Sequence, residues 1–230
     1  MGHAVIVGNP GRLLDAEVER AVPAGLDGVG VTRLTLVPEI RLYLAQDAII
    51  WWARMEAHAG NRLSPPFWAS AWMGGQAVAR YVLDHPEVVA GRRVLDVASG
   101  SGLVAIAAGL AGAAHTTAND IDPYAAIAVG LNAKLNGVDV AVSCGDLLGG
   151  DGGDAEVVLA GDVFYDERMA ESVMAFFGRV TARGGVVLVG DPERGHLPRA
   201  RMRTVATYAA GTAADFIDAE RTHTRVLRPR

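Results

Sequence analysis

The sequence predicts an α/β fold: a mostly parallel sheet of seven strands with helices on both faces, joined to a mainly helical N-terminal cap. Two observations predict it. From about residue 92, short apolar runs alternate with helical stretches, the pattern of a parallel sheet wound with helices. Before that point the alternation is absent, and two helical stretches are joined by the rigid connector SPPFW at 64–68. The expected organisation is therefore a cap over 1–90, packed on the core and not independent, and a sheet domain over 91–230.

Within the sheet domain, RRVLDVA (92–98) is the first strand, and LVAIAAGLAG (103–112) follows as a helix whose alanines permit close packing. AHTTAND (114–120) is the second strand. DPYAAIAVGLNAKLNG (122–137) is a helix with Asp122 as N-cap, Pro123 at its first position and Gly137 at its stop. VDVAVSC (138–144) is the third strand, and AEVVLAGDVFY (155–165) is nearly continuously apolar, as a central strand covered on both faces requires. A helix at 167–181 and the strand GGVVLVGD (184–191) follow. A helix near 197–207 then precedes segments around 207–218 and 222–228 that supply a closing antiparallel hairpin. In the cap, AQDAIIWWARMEAHAG (45–60) and AWMGGQAVARYVLDH (71–85) read as helices and residues 28–44 as a short strand pair.

Composition narrows the function classes. The chain has 230 residues, is 50% hydrophobic and 20% charged, and carries a net charge of −5, so it presents no electrostatic footprint for nucleic acid or an anionic membrane. One cysteine, Cys144, allows no internal disulfide and no zinc cluster, so a reducing, cytoplasmic setting is expected. MGHAVIVGNPGRLL lacks the pattern of a secretory leader and no apolar run reaches about 18 residues, so neither secretion nor membrane spanning is expected. His3, His58, His85, His115, His196 and His223 show no HxxxH or HxH spacing, and no metal is expected.

The chemistry concentrates around VLDVASGSG (94–102). Ser99, Gly100, Ser101 and Gly102 lie between a strand and a helix, where backbone N–H groups of a helix N-terminus meet a ligand and glycines admit its close approach. Gly100-x-Gly102-x-x-Ala105 also satisfies a loose dinucleotide pattern, and a small-residue turn equally permits tight strand–helix packing. The loop alone therefore does not separate NAD from other adenosine cofactors. Three acids at successive strand ends shift the balance. Asp96 suits an ammonium group, Asp120 is placed to accept from both ribose hydroxyls, and Asp146 is placed to accept from an adenine amine while Leu147 holds the ring. With no Arg or Lys in the loop, an amino acid linked to adenosine fits better than a pyrophosphate.

These residues resemble those of a class I, Rossmann-like seven-β-strand S-adenosylmethionine-dependent methyltransferase. VLDVASGSG is similar to its first motif, with Ala98 where many members have glycine; ANDIDP (118–123), including Ile121, resembles the ribose-binding strand end, and GDLL the adenine site. A narrower resemblance covers roughly 33–228. PPFWASAWMGGQAVARYVLDHPEVVAGRRVLDVASGSG, LAGDVFYDERMA and VLVGDPERG are similar to the family of the lysine methyltransferase acting on the β-subunit of electron-transfer flavoprotein. The resemblance implies S-adenosyl-L-methionine as cofactor, S-adenosyl-L-homocysteine as product, and a protein acceptor, with a small-molecule amine as the alternative. A nicotinamide-dependent oxidoreductase and a catalytically silent binding module remain as readings from other classes.

A lysine acceptor, with an ordinary pKa of about 10.4, must be held neutral to attack, which an aromatic, desolvating wall and an orienting carboxylate achieve. Asp162 and Tyr165, at the strand end nearest the methyl group in that superfamily, are the expected acceptor-orienting pair. Trp68, Phe164, Asp191 and Arg194 are the expected acceptor-binding residues. Trp72 and Gln76 are expected on the cofactor, with Gln76 at its methionine end.

Overall fold

The computed structural model describes residues 28–209 and 223–230. His3, the N-terminal stretch and the part of the expected 207–218 segment beyond residue 209 lie outside the described residues. A hairpin of β1 (Val29–Arg33) and β2 (Arg41–Ala45) opens the described chain, followed by helices α1 (Ala48–Ala59) and α2 (Met73–Asp84). Then come β3 (Arg93–Val97), α3 (Leu103–Leu110), β4 (His115–Asp120), α4 (Pro123–Asn136), β5 (Ala141–Cys144), β6 (Val157–Gly161), α5 (Glu167–Ala182) and β7 (Val186–Asp191). β8 (Met202–Ala209) and β9 (His223–Pro229) close the sheet, whose order is β5-β4-β3-β6-β7-β9-β8. β5 through β7 run parallel, and β9 is antiparallel to both β7 and β8.

The central strands explain the two-sided sheet. Along β6, Val157 and Leu159 join the cluster that packs α2 and α3, while Val158 and Ala160 join the one that packs α5. A continuous apolar run thus feeds both faces, because successive strand side chains point opposite ways. Each such fully buried Val or Leu contributes about 2 kcal/mol. Local signals act as the sequence indicates: Asp122 caps α4 by accepting from the Tyr124 N–H, and Gly137 ends it at φ 66°. Among the described residues, no helix is long and apolar enough to cross a membrane.

One element differs in kind. The helix expected near 197–207 is a single 3₁₀ turn at Arg199–Arg201 and then β8. Thr204, Val205, Thr207 and Tyr208 are strand-favouring, and pairing with β9 outweighs the helix propensity of the surrounding Arg and Ala residues. The strand expected over 155–165 is also shorter: β6 stops at Gly161, and Asp162 turns into the left-handed region at φ 57°.

Close packing brings α2 onto the ends of β6 and β7. A Cβ on Gly161 would stand 2.6 Å from Gly75 Cα, one on Gly74 2.5 Å from Asp162 Oδ2, and one on Gly190 would collide with the Gly74 carbonyl. Only glycine at these three positions lets the helix N-terminus reach the sheet edge.

Candidate active site

The direction of winding reverses between β3 and β6, and a cleft opens at their C-terminal ends, where open α/β sheets bind ligands. Its floor is the loop after β3. Ala98 (φ 55°), Gly100 (φ 53°) and Gly102 (φ 82°) all take left-handed backbone. At Ala98 this costs about 1 kcal/mol where the glycine common in such loops would cost nothing. A Cβ on Gly102 would press to 3.2 Å from Val129 of α4, so a larger residue would force the start of α3 away. Ser99, Gly100 and Ser101 line the cleft, together with Ser70, Trp72 and Gly75 from the approach to α2 and Asp162 from beyond β6.

Asp96 and Asp120 knit this loop from beneath. Asp96, 1% exposed, accepts from the Ser99 hydroxyl at 2.5 Å and the Ala105 N–H at 3.1 Å through one oxygen. Burial pushes its carboxyl up to about 7 against the lowering effect of those bonds, with the nearby Asp120 charge adding to the rise. Asp120 accepts from the Gly100 N–H at 2.8 Å and the Asp122 N–H at 3.0 Å, which holds the glycine loop to the end of β4. Ile121, 73% exposed, stands beside it, while Asp146 is exposed and Leu147 half-buried just past β5. Asp146 accepts from the Leu148 N–H at 2.9 Å, the bond of an Asx turn. These residues form a line along the strand ends next to the cleft rather than its floor.

The opposite wall is a charged cluster. Asp162 Oδ1 accepts from Arg194 Nη2 at 2.7 Å and Nε at 3.2 Å, and its Oδ2 accepts from the Gly75 N–H at 3.1 Å. The Arg194 guanidinium also lies 5.4 Å from the Trp72 ring centroid, in cation–π range. Trp72 is itself oriented by its indole N–H, which donates to the Phe67 carbonyl at 2.8 Å. Asp191, fully buried, accepts from the Arg194 backbone N–H at 2.7 Å. Burial raises its carboxyl to about 6, opposed by that bond. Tyr165, three residues past Asp162, is 56% exposed; partial burial and then the charges of Asp166 and Asp120 raise its phenol above the usual range.

Three expected site residues sit elsewhere. Trp68 is 2% exposed and packs edge-on against Trp51 at 5.2 Å, a core residue instead of an acceptor wall. Phe164 is wholly buried against α5, because the left-handed turn at Asp162 sends the next two side chains inward. Gln76 is buried and donates to the Ala71 carbonyl at 2.8 Å, so it braces the entry to α2 and does not line the cleft. Conversely, Asn119 and Asn132 support the site without a motif in the sequence to mark them. Asn119 donates to the Gly145 carbonyl at 3.1 Å, and Asn132 donates to the Ser101 carbonyl at 2.8 Å while accepting from the Tyr43 N–H. A buried Asn on a helix or strand is the only signal they gave, and periodicity treats it as a break. Among the described residues, no group of His, Cys, Asp and Glu could hold a metal.

A seven-stranded sheet of order β5-β4-β3-β6-β7-β9-β8 with β9 antiparallel, carrying a glycine loop tied to the acid at the next strand end, is the fold of a class I methyltransferase, and comparison with known proteins agrees. Residues 79–163 match the family described as ribosomal protein L11 methyltransferase (PrmA). The chain is 40% identical over 181 residues to the electron transfer flavoprotein beta subunit lysine methyltransferase of Rattus norvegicus, covering 76% of this chain and 70% of that protein. To the Homo sapiens protein of the same name it is 37% identical over 207 residues, covering 86% and 77%. The crystal structure of a ribosomal protein L11 methylase from Lactobacillus delbrueckii subsp. bulgaricus shares the fold, with TM-score 0.50, 23% identity, and 74% and 84% coverage. The chain belongs to the electron transfer flavoprotein beta subunit lysine methyltransferase family, and it is a methyltransferase.

Proposed function

We propose that this protein transfers a methyl group from S-adenosyl-L-methionine to a lysine side chain, with a protein like the electron transfer flavoprotein beta subunit as acceptor and S-adenosyl-L-homocysteine as product. The observation that carries the reading is a loop after β3 tied to Asp96 and Asp120 by hydrogen bonds and lining one cleft together with Asp162 and Trp72. Gly100 lines the cleft in left-handed backbone without a side chain, which fits close approach of an adenosine-bearing ligand, and Gly102 lets α3 start tight against α4.

In this reading Ser99, Gly100, Ser101 and Gly102 cradle the cofactor and Asp96 faces its ammonium group. Asp120 and Ile121 meet the ribose, and Asp146 and Leu147 meet the adenine. Trp72 covers the methionine end. When bound, the cofactor supplies an electrophilic methyl carbon on a sulfonium. The protein's part is then to hold an amine in line with that carbon, and positioning of this kind supplies a large share of the rate. Asp162 and Tyr165 orient the amine, with Asp191 and Arg194 behind them.

The test is incubation with methyl-labelled cofactor and purified electron transfer flavoprotein, followed by peptide mapping. Label on a β-subunit lysine, lost in Asp162→Ala, is the expected result. Label confined to small molecules when lysate is supplied instead would overturn the lysine reading.

A further inference from the structure

The acceptor-side carboxylate is not bare. Asp162 lines the cleft, yet both its oxygens are engaged: Oδ1 by two N–H groups of Arg194 at 2.7 and 3.2 Å, Oδ2 by the Gly75 N–H at 3.1 Å. Arg194 is in turn held from two further sides. Asp191 takes its backbone N–H, the Trp72 ring lies under its guanidinium, and only 14% of its side chain reaches solvent. A guanidinium keeps its charge at any working pH.

An unpaired carboxylate beside an acceptor amine would stabilise the ammonium form and raise the amine's pKa above its ordinary value of about 10.4. Such a site would bind lysine well and methylate it slowly, since the protonated amine has no lone pair. We propose that Arg194 is a positioning residue that neutralises Asp162, so that the acceptor lysine is held in the cleft as the neutral nucleophile instead of being trapped as an ammonium ion. This rests on the lysine reading above. The reacting nitrogen then forms its bond to the methyl carbon as the carbon–sulfur bond breaks, and the proton it sheds leaves to water.

Asp191 faces Arg194 from the loop after β7, and Glu193 beside it is held by Arg199 and Arg225. Asp96 lines the same cleft from the end of β3, with Asp120 near it. Tyr165 and Asp166 follow Asp162 on the chain. From α2, the contributions are the Trp72 ring and the Gly75 N–H, neither of which titrates. Arg194 is thus the cation set directly on Asp162 by hydrogen bonds, and removing it leaves Asp162 and Asp191 as neighbouring negative charges.

The experiment is the pH dependence of the single-turnover methylation rate, with saturating S-adenosyl-L-methionine and purified electron transfer flavoprotein beta subunit, alongside the KM for that subunit. In the wild type the rising limb lies below pH 10; a limb at or above about 10.4 overturns the proposal without any variant. In Arg194→Gln the limb moves up by about one unit, so the rate at pH 7.5 falls about tenfold, while KM falls as the ammonium form binds more tightly. Arg194→Lys, which retains the charge, keeps the wild-type limb. Adding Asp162→Asn to Arg194→Gln returns the limb toward wild type. A purely structural clamp would instead lower the rate equally at every pH in both Arg194 variants, and that result overturns the proposal. A wild-type protein that leaves the subunit unlabelled removes the lysine reading and this proposal with it, whereas a labelled subunit with an unmoved limb in Arg194→Gln removes the proposal alone.

Discussion

The Gly75 backbone N–H donates to the Asp162 carboxylate at 3.1 Å across 87 residues of sequence. That bond fastens the N-terminus of α2 to the residue just past β6. Two consequences follow from the tightness of the junction, one for the fold and one for the site: α2 becomes part of the sheet's covering layer, and Asp162 is held in a left-handed conformation at φ 57°.

The glycines of that junction set a stability prediction. Gly74→Ala or Gly190→Ala places a methyl group against rigid backbone, and overpacking of this kind costs about 3 kcal/mol. Gly130→Ala, in α4 with nothing within 4 Å of the new Cβ, is expected to stabilise by about 1 kcal/mol through helix propensity. Urea midpoints of the three variants check both signs, and equal midpoints would contradict the packing described.

Asp96 couples pH to stability. Its folded carboxyl titrates at about 7, well above the ordinary value of about 3.9 in an unfolded chain, so the folded state binds this proton more tightly. Its contribution to stability is therefore largest below about pH 4 and declines as pH rises to about 7. Asp96→Asn keeps an acceptor for Ser99 and Ala105, flattens this slope and raises stability at pH 8. Affinity for S-adenosyl-L-methionine should instead rise between pH 5.5 and 7 in the wild type, as the carboxylate forms, and fall in the variant. Denaturation and calorimetric titration across pH measure the two trends.

Asp120 is predicted to act through the loop as well as on ligand. Asp120→Ala leaves the Gly100 and Asp122 N–H groups without their acceptor, and losing a charged hydrogen-bond partner costs about 1.5–3 kcal/mol. Cofactor affinity should drop about 10- to 100-fold at one such interaction. Calorimetry with S-adenosyl-L-homocysteine decides it, and a change under threefold would remove Asp120 from the site.

Adjacent aromatic residues should separate cleanly. Phe164→Ala opens a cavity in the α5 core and costs about 3–5 kcal/mol of stability. Tyr165→Ala, at a position 56% exposed, changes stability by no more than about 0.5 kcal/mol but raises the acceptor KM. Melting curves beside steady-state kinetics test the pair; the opposite pattern would place Phe164 on the substrate and Tyr165 in the core.

Much of the sheet was legible because its signals are local. The alternation from residue 92, the Asp122–Pro123 start and Gly137 stop of α4, and the small-residue loop after β3 each depend on residues within one or two turns. β8 reads locally as helix because its own preference is ambiguous and β9, which decides it, lies farther along the chain. Trp68, Phe164 and Gln76 lie close in sequence to residues that line the cleft; one left-handed residue or one backbone bond turns a side chain from cleft to core, and neither has a periodic trace.

By itself, the sequence determined the α/β class and the order of the parallel strands' elements, since apolar periodicity and residue type act over short distances. Tertiary structure alone decided that Arg194 sits on Asp162, that Trp72 lies beneath it, and that Gly74, Gly161 and Gly190 bring α2 to the cleft. The reason is physical: those contacts join residues 32 to 122 positions apart, and their geometry exists only once the backbones have packed.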